Sequence, residues 1–393
     1  MAAVVLTTVF VACNKDDDNG ITLTEVIIEP DNLTLLPGDV ETLIFYTEPF
    51  GSSEKKMTWA SSNKEVATVD NTGKVTAIAP GTTVITATAK NGVTGACNVV
   101  VISNLPKQMR FSIQNTSSAT RVDLYIYGTG TMTIDWGDGT APETHTLFKH
   151  GVNVENLDDL VKFSHNYTGV SSRIIKVTAV NISHFYFGSS NYTKLFDLDV
   201  SGNPALIELR CSYNQLTHLD VSANIALTLL NCAYNQLTEL NVSANSALEV
   251  LECYNNQITR LDVSGNPALS TLFCSNNQLT ALDLSKNKEI YSIDCRNNLL
   301  ANLKIGENTA LNALHCANNR LTSLDVSKNN ELIYVDSGNN LLNAGALNSL
   351  FGTLNSTSTP YPKSIYIYEN QGVDGCDKSI AQNKGWVVKT DKP

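Results

Sequence analysis

The sequence predicts a multidomain, almost wholly β chain: two all-β sandwiches, then a solenoid of short repeats, then a C-terminal cap. Three observations predict it. Leu and Asn recur at a fixed 21-residue period from 206 to 342 without insertion. Ahead of the repeats, apolar and polar residues alternate in short runs separated by turn signals such as Leu36-Pro37-Gly38, Asn71-Thr72-Gly73 and Ala79-Pro80-Gly81-Thr82. At 393 residues the chain also exceeds what one core organises. The expected organisation is a leader and tether over 1–20, sandwiches over 21–103 and 104–182, repeats over 183–342 and a cap over 343–393.

From Ala2 to Ala12 every residue is apolar or small; Cys13 follows, and then the polar run Asn14-Lys15-Asp16-Asp17-Asp18-Asn19. So short an apolar stretch suits an export signal better than a membrane-spanning helix, and a buried first strand is the alternative. Phe10-Val11-Ala12-Cys13 resembles a bacterial lipobox, although no Lys or Arg precedes it. The resemblance implies that Cys13 carries a lipid anchor, and the acidic run after it is similar to the surface-export signal of Bacteroides-type lipoproteins. On that reading the protein sits on the outer-membrane surface, facing the extracellular side.

In the first sandwich, Trp59-Ala60-Ser61-Ser62-Asn63-Lys64-Glu65-Val66-Ala67-Thr68-Val69-Asp70, with Gly73-Lys74-Val75-Thr76-Ala77 and Pro80-Gly81-Thr82, resembles the group 2 bacterial immunoglobulin-like domain. Cys97 in its last strand reads as a lone buried thiol. In the second, Thr133-Ile134-Asp135-Trp136-Gly137-Asp138-Gly139-Thr140 resembles the PKD-type sandwich, which implies that Trp136 is in the core and a tight turn follows it. Asp135, Asp138 and Glu143 read either as a calcium cluster or as solvated turn carboxylates.

The repeat reads Leu-x-x-Leu-x-Cys-x-x-Asn-x-Leu-x-x-Leu-Asp-Val-Ser-x-Asn-x-Ala, as in 227–247, and resembles the leucine-rich repeats of Bacteroides-type surface proteins, with a distant likeness to internalins in Asn214-Gln215-Leu216-Thr217. A single turn buries too little apolar surface to offset the entropy of ordering it, so only stacking stabilises it. Asn214, Asn235, Asn256, Asn277, Asn298, Asn319 and Asn340 form a column whose buried amides are expected to satisfy turn backbone. Cys211, Cys232, Cys253, Cys274, Cys295 and Cys316 form another, expected inward as reduced thiols; disulfides between neighbours are the alternative, disfavoured by parallel Cβ vectors. Residues 344–354 read as an amphipathic helix and 363–368 as a last strand, with Trp386-Val387-Val388 covering the open end.

Chemistry is sparse. No phosphate loop, His-Glu-x-x-His or Gly-x-Ser-x-Gly motif occurs, and Gly128-Thr129-Gly130 lacks a third glycine. The Asp199, Asp220, Asp262, Asp283 and Asp325 column reads as solvated edge charge. No metal or cofactor is implied, and the chain reads as a non-enzyme. With 27 Lys plus Arg against 38 Asp plus Glu, a net charge of -11 and no basic cluster, nucleic acid is a poor partner. Strand alternation turns the residues flanking each Leu-x-Cys outward, onto an expected concave face. There Arg210, Val250, Glu252, Tyr254, Phe273, Asp294, Arg296, His315 and Tyr334 are the candidate ligand-binding residues, with Tyr254 and Phe273 either central to a recognition patch or merely covering strand edges. The function expected is cell-surface binding or adhesion to an extracellular protein or glycan; the alternative is glycan capture beside a polysaccharide-uptake system.

Overall fold

A computed structural model describes residues 23–49, 56–102, 107–117, 119–147, 162–188, 193–357 and 360–393. Cys13 and the tether lie outside them. The chain divides into two compact units at Val101/Ile102.

In the first unit the strands Gly81–Thr88 and Thr94–Val101 pair antiparallel, flanked by Thr58–Ser61 and by the parallel Asn32–Leu35. Val40–Thr42, Lys74–Ala77 and Ala67–Val69 form a second sheet. Alternation sends Cys97, Val99 and Val101 inward, where they join Val75, Ala77, Ile85 and Ala87 in one core, with Trp59 packed against it. Gly73 is required by space as well as by its φ of +83°, since a Cβ there would meet the Leu43 carbonyl oxygen at 2.8 Å and the Trp59 ring at 2.9 Å.

The second unit begins with the strands Lys107–Asn115, Ala119–Asp135, Glu143–Leu147, Lys162–Thr168, Ser171–Gly188 and Thr193–Asp199. Their mutual pairings are all antiparallel. Ser171–Gly188 crosses the boundary expected at 182–183. Its first half pairs with Lys107–Asn115, while His184, Phe185 and Tyr186 pair in parallel with Glu208, Leu209 and Arg210 of the first repeat. The two regions therefore share one sheet and one core, which runs from Met109 to Trp386. Gly128, outside any phosphate loop, lies at a β-bulge, where a Cβ would fall 1.8 Å from the Asn181 carbonyl oxygen.

Trp136 is fully buried and stacks on His165 at 4.9 Å. The nearby carboxylates cap turns. Asp135 accepts from the Gly137 N–H, and Asp138 from the Thr140 N–H and hydroxyl, while His165 Nε2 lies 2.7 Å from the other Asp138 oxygen. Glu143 pairs instead with His145. Among the described residues no three His, Cys, Asp or Glu side chains converge as metal ligands would.

In the solenoid, Glu208–Arg210, Leu229–Asn231, Val250–Glu252, Thr271–Phe273, Ser292–Asp294, Ala313–His315 and Tyr334–Asp336 stack in parallel and in register. Their central residues and all six repeat cysteines are fully buried, and the cysteines are free thiols. After each cysteine the chain turns out of the sheet. Here the N–H groups switch from bonding the following repeat (Asn214 N to Tyr234 O) to bonding the preceding one (Gln215 N to Leu195 O). The ladder asparagine makes this switch affordable: Asn256 Oδ1 accepts from Leu237 N at 3.0 Å, and its Nδ2 donates to the carbonyls of Cys232 and Cys253 at 3.0 and 3.1 Å.

A second asparagine column is just as buried. Asn224, Asn245, Asn266, Asn287, Asn308 and Asn329 each donate Nδ2 to two carbonyls of the preceding repeat, as Asn245 does to Val221 and Asn224. The aspartate column is exposed, but Asp220, Asp262, Asp283 and Asp325 accept from a serine N–H two residues on, so they hold the edge turns as well as solvating them.

The cap contains the helix Ala344–Thr353, whose first turn is capped by Asn343 and whose Leu347, Leu350 and Phe351 are buried. Lys363–Tyr366 and Trp386–Lys389 then extend the parallel sheet. The asparagine ladder continues past Asn340 to Asn370, whose Oδ1 accepts from Asn340 N and Leu342 N. At the end Trp386 is buried and donates Nε1 to Asn355 O, and the buried Lys363 ammonium bonds the carbonyls of Asn355, Thr357 and Lys384.

Candidate binding face

Alternation along three-residue strands leaves each repeat with one inward and two outward side chains, and the parallel register stacks the outward ones into columns. All nine candidate residues, Arg210, Val250, Glu252, Tyr254, Phe273, Asp294, Arg296, His315 and Tyr334, lie on this outward face and are half-buried. They do not form one cluster. Six inter-strand steps separate the strands of Arg210 and Tyr334, about 29 Å at the usual strand spacing.

Three local groups stand out. At the first repeat, Tyr186 donates its hydroxyl to Glu208 at 2.6 Å, Arg210 lies 3.4 Å from the same carboxylate, and its guanidinium covers the Tyr186 ring at 5.4 Å. In the middle, Val250, Tyr254 and Phe273 surround Glu252, which Asn231 holds by a side-chain hydrogen bond. Towards the cap, Arg296 forks onto Asp294 with contacts of 3.0 and 2.8 Å, while His315 packs on Tyr334 at 4.7 Å and Tyr334 on Tyr366 at 5.5 Å.

The electrostatics follow from this packing. Burial, and then the Arg296 charge, lower the pKa of His315, so it is neutral near pH 7. Burial raises that of Asp336. The Glu208, Glu252 and Asp294 carboxylates each have a partner within the face.

The sequence reading missed Tyr186 and Tyr366, because the first lies ahead of the regular repeats and the second beyond them. It also missed a column with a visible signal. The residue before each ladder asparagine has left-handed backbone; it is Asn in five repeats and Glu369 ahead of Asn370, but tyrosine at Tyr213 and Tyr234.

The fold and this face define an immunoglobulin-like and leucine-rich-repeat chain, a class of module that characteristically binds rather than catalyses. Residues 22–101 match the family of bacterial Ig-like domains (group 2), and residues 246–287 match leucine-rich repeats (two copies). An uncharacterized protein of Clostridium acetobutylicum is 32% identical over 88 residues, covering 22% of this chain and 9% of that protein. Lacto-N-biosidase of Bifidobacterium bifidum is 38% identical over 82 residues, covering 21% and 7%. The chain thus matches less than a tenth of the length of these curated relatives. Among solved structures, the functional domain of InlJ from Listeria monocytogenes, which includes a cysteine ladder, is 34% identical with a TM-score of 0.46, covering 53% of this chain and 43% of that one.

Proposed function

We propose that this chain is a non-catalytic recognition protein of a bacterial cell surface, anchored at the outer membrane through Cys13, whose repeats engage an extracellular partner through their outward face. The observation that carries this reading is the composition of that face. Aromatic and aliphatic groups, Val250, Tyr254, Phe273 and Tyr334, alternate with charged groups that have partners in the face, Arg296 paired with Asp294 and Glu252 hydrogen-bonded by Asn231. Covering it leaves the Arg210–Glu208 and Arg296–Asp294 pairs intact, and buried aromatics supply the strong local contacts that adhesion needs. The Ig-like domain, a common spacer in surface proteins, is in keeping with display outside the cell.

The test compares wild type with the double variant Tyr254→Ala, Phe273→Ala as baits for mucosal extracellular proteins. Species held by the wild type should be lost by the variant, with affinity weakened by ~2 kcal/mol or more. Equal retention by both would remove the face from the proposal. Anchoring is tested separately, by labelling with a fatty-acid analogue that Cys13→Ala should abolish.

A further inference from the structure

The tyrosines at Tyr213 and Tyr234 have no role in the turns they occupy. Their φ angles are 60° and 53°, and Asn255, Asn276, Asn297, Asn318 and Asn339 occupy the equivalent positions with φ between 46° and 57°. Asparagine tolerates this conformation, whereas a bulky aromatic residue there is a strained outlier. The backbone gains nothing in exchange, because Tyr213 N bonds Ala233 O at 3.0 Å much as Asn255 N bonds Ser275 O at 2.9 Å. Nor do the rings join the core, being 51% and 39% exposed. They stack face to face at 4.1 Å and 13°, and Tyr234 meets Tyr254 edge-on at 5.4 Å. Strain retained at an exposed position points to use by a ligand.

The column continues from these rings as a run of primary amides. Asn318 Nδ2 donates to Asn297 Oδ1 at 2.7 Å and Asn339 Nδ2 to Asn318 Oδ1 at 2.8 Å. From Tyr213 to Asn339 it carries no charged side chain; Glu369, paired with Lys392, holds the next rung, and the Lys194 ammonium lies against the Tyr213 carbonyl at the other end.

We infer that this column is a carbohydrate subsite, in which the tyrosine cluster receives the apolar face of one sugar ring and the amides bond the hydroxyls of the rings that follow. The inference rests on the recognition reading above and names a ligand class for it. Primary amides both donate and accept, as hydroxyls do. Their spacing, about 4.8 Å from strand to strand, is close to the length of one pyranose unit in an extended chain. The column's own side chains are uncharged from Tyr213 to Asn339, and with the net charge of -11 this selects a neutral glycan over a sulfated or uronic one. A protein partner fits the neighbouring outward face, where apolar and charged groups mix.

The full chain is titrated calorimetrically with cellohexaose, chitohexaose and mannohexaose, and with an oligogalacturonate as anionic control. Wild type should bind at least one neutral chain and not the anionic one. The variant Tyr213→Asn, Tyr234→Asn installs the residue its neighbours use, so its melting temperature should hold or rise while affinity falls by about tenfold or more. Absence of neutral-glycan binding by wild type, equal binding of the oligogalacturonate, unchanged affinity in the variant, or a clear drop in its melting temperature would each overturn the inference. These titrations do not read the capture of extracellular proteins, and Tyr213 and Tyr234 stay intact in the Tyr254→Ala, Phe273→Ala comparison, so the two readings fail separately.

Discussion

Inward and outward columns of the same repeats behave as two different sequences. Inward, Leu209, Leu230, Leu251, Leu272, Ile293, Leu314 and Val335 barely vary, and the cysteine and both asparagine columns hold for as long as the regular repeat lasts. Outward, the equivalent run is Arg210, Asn231, Glu252, Phe273, Asp294, His315, Asp336, with no two neighbours alike. The difference teaches that each repeat must solve one packing problem in one way, since its neighbours on both sides impose the same shape. The outward side chains meet solvent and one another, so stability leaves them free for recognition.

That comparison breaks first at the ladders. Asn256→Ala strands the Leu237 N–H in a dry interior and takes one of two amide donors from the Cys232 and Cys253 carbonyls, which keep Asn235 and Asn277, and should cost about 3 kcal/mol in denaturant unfolding. Asn245→Ala removes only the donations to Val221 and Asn224, because its Oδ1 has no partner in the structure, and should cost about 2 kcal/mol. Equal costs would show that the two columns do the same work.

The cysteine column comes next. Cys253→Ser places a hydroxyl among thiols and leucines and should cost about 2 kcal/mol, against about 1 kcal/mol for Cys253→Ala. Burial pushes the Cys211 and Cys253 thiols up to about 12, so native protein should react slowly with a thiol reagent at pH 8 and denatured protein quickly. The fold holds these thiols neutral. Their contribution to stability is therefore complete below the ordinary value of 9.0 and is lost as pH rises from there towards 12. Rapid native labelling would place the ladder at the surface.

The outward face should respond least. Tyr254→Ala with Phe273→Ala ought to shift stability by no more than about 1 kcal/mol in total, and a larger loss would make these rings packing residues. His315 adds a pH signature to the same face. With its pKa lowered in the fold, the unfolded chain binds the proton better, so stability falls as pH drops below the ordinary histidine value of 6.5. Asp336, raised by burial, acts with the opposite sign at lower pH. Melting of His315→Gln at pH 7.5 and pH 5 should show a smaller acid loss than wild type, and an identical slope would remove His315 as its source.

Much of this was legible in the sequence because the repeat is local and periodic. Position along the 21-residue unit fixes which side chains turn inward, so the leucine, cysteine and ladder-asparagine columns and the candidate outward residues follow from spacing, and the cap helix from its own amphipathic pattern. The tyrosine substitutions at Tyr213 and Tyr234 were legible too, once their asparagine neighbours were known to be left-handed.

What the sequence by itself determined is every feature in which a residue's environment repeats with the chain. What only the tertiary structure decided is where unlike segments meet: the joining of 107–199 to the solenoid through Ser171–Gly188, the further ladder rung at Asn370 and the pairing of Tyr186 with Glu208 and Arg210. The physical reason is hydrogen-bond complementarity at open edges. The first and last repeats expose strand edges and turn backbone that any segment of suitable register can satisfy; ahead of the repeats Leu195, Leu198, Val200 and Asn203 keep the 21-residue spacing, but beyond them Asn370 departs from it.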